Sequence, residues 1–174
     1  MMGRAFRCGC AGVAAWFLAL APLAAPADET MAERIPVAVA EFDYIDTSGE
    51  PDDQRAKHAA QLQSFAESIR AGLESSGKYR AVPLVCEPMP CRAGDLDAEA
   101  LIAAARKAGA QQVVFGGIHK MSTLVQFAKV QVVDLKLDRL IFERLLTFRG
   151  DSDAAWDHAQ RFVVRDIVEE KLAY

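Results

Sequence analysis

Strand-like and helix-like segments alternate along most of this chain, and their order is the strongest constraint on what it can fold into. An apolar run at 35–44 precedes an amphipathic pattern at 53–75, and a short strand-like segment at 79–85 precedes a second helical pattern that ends at Ala108. Three strand-like segments and a final amphipathic pattern at 152–171 follow. Strands separated by helices favour right-handed parallel crossovers, and consecutive strands favour antiparallel pairing. The sequence therefore predicts an α/β (α+β) domain with a single mixed β-sheet, helices packed on it, and the order β-α-β-α-β-β-β-α.

Two irregularities are expected within the last three strands. Gly116 and Gly117 interrupt the apolar strand at 112–119, which predicts a bulge or a close approach of another backbone. The segment 124–148 has the pattern of a β-hairpin, and a change of apolar parity in its first arm predicts a bulge near Ala128.

The amino-terminal segment has the layout of a secretory signal peptide. Arg4 and Arg7 precede an apolar run at 11–25, and a small-x-small cleavage pattern occupies 25–27. As a helix, this run of about 15 residues spans roughly 22 Å, which is short of the ~30 Å hydrocarbon core of a bilayer. We therefore expect cleavage after Ala27 and export to the periplasm rather than a membrane anchor.

Removal of that segment defines the domain boundaries and the charge. We expect a signal peptide at 1–27, a flexible leader at 28–34 and one domain at 35–174. The whole chain has 20 basic and 24 acidic residues, so loss of two arginines leaves 18 basic residues and a net charge of −6. An acidic domain is poorly suited to binding nucleic acid or an anionic membrane surface. No later segment is long and apolar enough to span a bilayer.

Two cysteines remain after the predicted cleavage, Cys86 and Cys91, with two prolines among the four residues between them. In an oxidising compartment, such a near pair predicts a disulfide. A Cu(I) site with Met89 as a third sulfur ligand is the alternative, because soft sulfur ligands suit that ion. A thiol–disulfide catalyst is disfavoured, because the Cys-x-x-Cys motif at a helix start is missing.

Catalytic motifs are missing from the sequence. It contains no Gly-x-Ser-x-Gly elbow, no phosphate-binding glycine loop and no closely spaced histidine pair. The loop at 43–53 is rich in carboxylates, which suit hard cations. Its spacing fails the EF-hand pattern, however, and stabilisation of the next helix start accounts for Asp52 and Asp53. We therefore predict no catalytic residue, no cofactor and no dedicated metal site.

Several short motifs carry a resemblance to a known group of envelope proteins. They are Val-Ala-Val-Ala-Glu-Phe at 37–42, Leu-Glu-Ser-Ser-Gly-Lys-Tyr-Arg-Ala-Val at 73–82, Ala-Gly-Ala-Gln-Gln-Val-Val-Phe-Gly at 108–116 and Val-Val-Asp-Leu at 132–135. With these motifs the chain resembles the amino-terminal domain of TolB and the related CsgG and LpoB proteins. The segment Ile-Asp-Thr-Ser at 45–48 is closer to an exported family known as a domain of unknown function.

The resemblance implies a periplasmic accessory or interaction domain, and it implies no catalytic residues. The sequence shows no β-propeller like that of TolB. At the predicted cleavage point it also lacks the lipid-anchoring cysteine of LpoB and CsgG. The partner roles of those proteins are therefore not carried over.

Arg144 stands out because it interrupts an apolar row on the second arm of the hairpin. The row predicted to share one face is Leu140, Phe142, Leu146 and Phe148. A charge in such a row either reaches solvent over a packed stem or contacts another protein. Both remain open, so Arg144 is a candidate interface residue. The exposed edge of the hairpin is a second candidate surface, because it could pair with a partner strand.

We expect this domain to bind a protein partner in the cell envelope, as a non-enzymatic accessory subunit or adaptor. The candidate binding rim lies at one end of the sheet and comprises Asp43, Asp46, Gly116, Gly117 and His119. A periplasmic protein that binds a small ligand or a metal, through this rim or the cysteine loop, is the alternative.

Overall fold

The computed structural model describes residues 34–87 and 89–170. The predicted signal peptide, and all but the last residue of the predicted leader, lie outside these described residues. The elements, in chain order, are β1 (Ile35–Val39), β2 (Asp43–Asp46), α1 (Arg55–Ser75), β3 (Tyr79–Ala81), α2 (Ala98–Lys107), β4 (Gln112–Lys120), β5 (Val125–Asp134), β6 (Arg139–Arg149) and α3 (Asp153–Glu169).

The six strands form one mixed sheet with the order β3-β1-β4-β5-β6, and β2 pairs with β4 beyond the end of β1. β1 is parallel to β3 and β4, β2 is parallel to β4, and the β4–β5 and β5–β6 pairs are antiparallel. The predicted fold class, single mixed sheet and element order are therefore confirmed.

The predicted first strand is divided into β1 and β2 by one extra residue. Val39 is opposite Val114 and Asp43 is opposite Gly117, so four steps along this strand match three steps along β4. Side chains alternate between the two faces along a strand. The extra residue therefore switches the core-facing positions from odd-numbered to even-numbered residues. The odd-numbered Val39 and the even-numbered Phe42 consequently both lie in the same core.

The sheet separates a large core from smaller ones. The large core lies between the sheet and helices α1 and α3. Its aromatic rings meet edge to face, with ring centroids 5.0 Å apart for Phe42 and Phe65 and 5.9 Å apart for Phe65 and Trp156. On the other face, α2 and the cysteine loop pack over the part of the sheet that contains Ala38 and Val113. That covering leaves the ends of β2, β4, β5 and β6 without a helix of the described chain above them.

The helix boundaries follow the local sequence signals. Asp97 caps α2 by accepting a hydrogen bond from the Ala100 N–H at 2.6 Å. Gly77 follows α1 with a φ of 76°, in the left-handed region that glycine adopts without strain. None of the three described helices combines the length and hydropathy that crossing a membrane requires.

Two details of the hairpin differ from the prediction. The register shift lies between Val132 and Val133, not at Ala128, which is regularly opposite Leu146. Val132 faces Phe142 and Val133 faces Leu140, so β6 carries the extra residue. Because this bulge reverses the facing of the strand, Leu140 leaves the predicted row and is half exposed.

The glycine pair causes a close backbone approach without a bulge. β4 pairs with β5 residue by residue from Gln112 to Lys120. A Cβ on Gly116 would overlap the Lys129 carbonyl oxygen and press on the Phe42 ring. A Cβ on Gly117 would instead reach ordinary contact with the Asp43 side chain at 3.4 Å.

Candidate functional site

The structure places the predicted rim residues on two neighbouring strands. In the parallel pair of β2 and β4, Asp43 is opposite Gly117 and Ile45 is opposite His119. Asp46, at the end of β2, is opposite Lys120. These residues therefore lie together at one end of the sheet, and their role in binding stays a prediction.

His119 is held at this end by a side-chain contact. Its Nε2 lies 2.8 Å from the Thr47 hydroxyl oxygen, and Thr47 also donates its backbone N–H to the Lys120 carbonyl at 2.9 Å. The contact fixes the imidazole on the sheet face that no helix covers.

That uncovered surface, called the open face, is lined by apolar side chains around a glycine. A depression of about 310 Å³ lies above Gly117. The open face comprises Ile45, Gly117, His119, Met121, Phe127, Lys129 and Leu145. Ile45 on β2 and Leu145 on β6 are 59% and 65% exposed, so large apolar side chains on both outer strands of this surface face solvent. A cluster of exposed apolar side chains is typical of a protein-binding surface.

The acidic cleft lies on the other side of β2. It has a volume of about 750 Å³ and is bordered by all four residues of β2, by residues 52–55 and the first turns of α1, and by Arg92, Gly94 and Asp95. Five aspartates and two arginines line it. The cleft therefore carries a net negative charge at neutral pH.

Two aspartates of the cleft differ in their protonation equilibria. Burial is the largest influence on Asp43, and with the neighbouring Asp95 carboxylate it raises the pKa of Asp43 despite a hydrogen bond from the Gly94 N–H. Burial would also raise the pKa of Asp46, but hydrogen bonds from Ser48 and the positive charge of Lys120 outweigh it, and that pKa is lowered.

A partly buried polar cluster that the sequence did not predict lies behind the rim, with Asp151 at its centre. Asp151 Oδ2 lies 2.9 Å from His58 Nε2 and accepts hydrogen bonds from Lys57 Nζ at 3.0 Å and Lys120 Nζ at 3.2 Å. The Asp151 cluster comprises Lys57, His58, Lys120, Gln126, Asp151 and Trp156. It connects the start of α1, the end of β4, the start of β5 and the start of α3.

The cluster holds its central carboxylate in the charged form. Asp151 Oδ1 accepts hydrogen bonds from Gln126 Nε2 and Trp156 Nε1, both at 3.2 Å. Burial alone would raise the pKa of Asp151, but the hydrogen bonds from its donors, His58 foremost, lower it well below the ordinary range. The sequence signal for this cluster was an aspartate between Gly150 and the helix-capping Ser152. The signal did not reveal the cluster, because the partners of Asp151 lie far away along the chain.

Lys120 is the most deeply buried charge in the described chain, with an exposed fraction of 0%. Its Nζ donates to Glu50 Oε2 at 2.5 Å and to Gln54 Oε1 at 2.9 Å, in addition to Asp151. Burial would lower the pKa of Lys120, but the two carboxylates outweigh this influence and raise it. Because these partners enclose the ammonium group, we interpret the cluster as structural rather than catalytic.

Tyr44 borders the acidic cleft and packs against His58 of the Asp151 cluster. Its ring centroid lies 4.6 Å from that of His58. Burial, followed by the nearby carboxylates of Asp46 and Asp151, raises the pKa of Tyr44. Its hydroxyl group is buried and has no hydrogen-bond partner among the residues that the structure describes. Tyr44 therefore stays neutral throughout the physiological pH range.

The two cysteines form the predicted disulfide between Cys86 and Cys91. Met89 lies nearby, with its sulfur 3.9 Å from Cys91 Sγ. Because the two cysteine sulfurs are bonded to each other, this structure contains no thiolate pair for the Cu(I) alternative. Within residues 34–87 and 89–170, no group of three or more His, Cys, Asp or Glu side chains could hold a metal ion.

Arg144 finds charged partners inside the chain. Its Nε lies 3.2 Å from Asp166 Oδ2 and its Nη2 lies 3.7 Å from Glu170 Oε2, both near the end of α3. Its guanidinium carbon is 5.7 Å from the centroid of the Phe142 ring. These contacts account for a charge in an apolar row by intramolecular pairing, and a role in an interface stays a prediction.

Comparisons with known proteins identify the family and show the fold. The profile of the family DUF3280, described as "Protein of unknown function (DUF2380)", matches residues 36–168. No curated protein sequence matches the chain. The solved structure of the hypothetical protein CT253 from Chlamydia trachomatis is similar, with 17% identity, a TM-score of 0.51, and coverage of 78% of this chain and 96% of that one.

LpoB and TolB, which the sequence motifs predicted, are both among the similar structures. The LpoB carboxyl-terminal domain from Salmonella enterica is 16% identical, with a TM-score of 0.47 and coverage of 65% of this chain and 81% of that one. TolB from Acinetobacter baumannii is 15% identical, with a TM-score of 0.47 and coverage of 78% of this chain and 27% of that one. At these identities the likeness concerns the fold alone. The family profile spans most of the described residues, and the chain therefore belongs to the DUF3280 family of proteins of unknown function.

Proposed function

We propose that this chain is a non-enzymatic binding domain that acts in the periplasm as an accessory subunit or adaptor of the cell envelope. In this proposal residues 1–27 direct export and are removed by cleavage after Ala27. The observation that carries the proposal is the open face, where apolar side chains and a depression above Gly117 meet solvent with no helix above them. Burial of one large apolar side chain in an interface stabilises a complex by about 1.5–3 kcal/mol.

The rest of the described chain supports a binding role. The fully buried charge of Lys120 is paired inside the domain with Glu50, Gln54 and Asp151, which agrees with a structural role for this group. The fold is shared with other proteins, but a fold can host many functions, so the surface carries the proposal.

Site-specific photocrosslinking in cells tests this function. A photoreactive amino acid at Leu145, 65% exposed on the open face, is expected to form an adduct with one envelope protein. The same amino acid at Glu74, which is exposed on α1, is expected to form none with that protein.

A second substitution separates specific binding from chance capture. Met121→Glu places a charge elsewhere on the open face, at a residue that does not border the acidic cleft, and is expected to reduce the Leu145 adduct at least about tenfold. Ala71→Glu, an exposed change on α1, should leave the yield unchanged. An adduct that is insensitive to Met121→Glu, or no adduct at all, would contradict the proposed function.

A further inference from the structure

The acidic cleft contains an unoccupied position for a strand beside β2. Along β1, the neighbouring position is filled first by β3 and then by Arg92, which forms an isolated parallel bridge with Glu41. Beyond Arg92 the chain turns through residues 93–96 into α2, and in this turn the Gly94 N–H bonds the Asp43 side chain rather than the β2 backbone. Within the described chain, β2 therefore pairs with β4 on one side and with no strand on the other.

The free edge of β2 offers backbone hydrogen-bonding groups to the cleft. The Thr47 N–H points towards β4, where it donates to the Lys120 carbonyl. Backbone groups of successive strand residues point to opposite sides, so those of Tyr44 and Asp46 point into the cleft. Such groups at a sheet edge form a template for an added strand. The four residues of β2 span about 13 Å, enough to pair with about four residues of an extended segment.

The charges of the cleft specify the chemistry of its occupant. Arg55 is paired with Asp53 at 2.7 Å and Arg92 with Asp95 at 3.5 Å. The remaining aspartates, Asp43, Asp46 and Asp52, form no ion pair within the described chain. They border the cleft from two directions, from β2 and from the loop before α1. A cationic segment is therefore favoured over a neutral or acidic one.

We propose that the acidic cleft binds an extended basic peptide segment of a partner protein, which pairs with the free edge of β2 as an added strand. Backbone hydrogen bonds supply the pairing, and lysine or arginine side chains of the segment reach Asp46 and Asp52. This mode rests on the proposed function, because it assigns the cleft to a protein partner, but the cleft shares only Ile45 with the open face.

Fluorescence anisotropy with synthetic peptides tests this site. The probe is a labelled, amino-terminally acetylated hexapeptide of alternating lysine and valine, at about 50 mM salt to limit screening. It is expected to bind saturably and at least about tenfold more tightly than the matching peptide of alternating glutamate and valine. No saturable binding of the lysine peptide overturns the proposal.

Two comparisons separate strand pairing from simple charge attraction. N-methylation of every backbone nitrogen of the lysine peptide removes the donors of both of its edges and is expected to weaken binding about tenfold or more. Equal affinity of the methylated peptide overturns the added-strand mode. Binding should also shift the amide resonances of Tyr44 and Asp46 in NMR spectra, and shifts confined to other regions exclude the cleft.

Substitutions test the charges with a matched control. Asp46→Asn and Asp52→Asn keep the side-chain size and are each expected to weaken binding up to about fivefold. Asp157→Asn, an exposed change on α3 outside the cleft, should have no effect. If all three variants bind equally, the site assignment is wrong. The photocrosslinked adduct at Leu145 reports on the open face alone. If the adduct forms but the peptide does not bind, the cleft proposal is rejected and the proposed function is retained.

Discussion

Replacing Asp151 with asparagine removes the charge at the centre of the Asp151 cluster while keeping the size of the side chain. The fully buried Lys120 is left with one carboxylate, Glu50. The new amide NH2 group also faces donors that in the wild type donate to a carboxylate oxygen, and it cannot accept their hydrogen bonds. Removal of one partner from a buried ion pair costs about 3–5 kcal/mol. We expect the lower end, about 3 kcal/mol, because Glu50 still pairs with Lys120. This is a large share of the ~5–15 kcal/mol by which most domains are stable.

Urea unfolding monitored by tryptophan fluorescence measures this loss. Trp156 donates to Asp151, so its emission reports on the cluster directly, and far-UV circular dichroism reports independently on the helices. Asp157→Asn, on the exposed side of the same helix, is the control and should change the free energy of unfolding by no more than about 0.5 kcal/mol.

The pH dependence gives a second, independent readout. The pKa of Asp151 is lowered in the folded state. Its contribution to stability is therefore present above its ordinary pKa of about 3.9 and is lost as the pH falls towards the lowered value. The pKa of Lys120 is raised, so its contribution is present below its ordinary pKa of about 10.4 and is lost as the pH rises through the raised value. The difference in unfolding free energy between the wild type and Asp151→Asn should consequently become smaller in acid.

Two results would refute this reasoning. One is a loss below about 1 kcal/mol at about pH 7, which would mean that the cluster is not a buried charge network. The other is a difference that stays constant between about pH 7 and pH 2, because the charge of Asp151 would then not be its source.

Further substitutions test other parts of the structure. Gly116→Ala should lower the unfolding free energy by about 1–3 kcal/mol, since its Cβ overlaps a backbone carbonyl of β5. Gly117→Ala should change it by less than about 1 kcal/mol. Equal losses of the two variants in thermal unfolding would contradict the close approach. Asp43→Asn should stabilise the protein at neutral pH, because the pKa of Asp43 is raised and its charged form is disfavoured, and urea unfolding in acid should show no gain. Replacing Cys86 and Cys91 with serine should cost about 2 kcal/mol, and denatured, unreduced wild-type protein should show no free thiol from this pair.

The sequence predicted the elements well because their signals are local. Apolar spacing, helix-capping residues such as Asp97 and Ser152, and glycines at helix ends act within a few residues of the chain. These signals sufficed for the order of elements, the mixed sheet and the near-neighbour disulfide of Cys86 and Cys91. The shift of the hairpin bulge to Val132 and Val133 was not predictable, because a register depends on both strands at once.

The candidate surfaces were predictable in part. Asp43, Asp46, Gly117 and His119 follow apolar strand segments, so their position near one end of the sheet could be inferred. The extra residue that divides β1 from β2 could not, and neither could the end of pairing at Arg92, after which β2 has no second partner strand within the described chain.

The sequence by itself determined the family of folds, the predicted export and the acidic character of this protein, because composition and periodicity are properties of the chain alone. The tertiary structure decided which charges are buried together and which apolar side chains stay uncovered. Lys120 and Asp151 are 31 residues apart, and His58 and Asp151 are 93 apart. Contacts over such separations depend on strand order and helix placement, which no local pattern encodes.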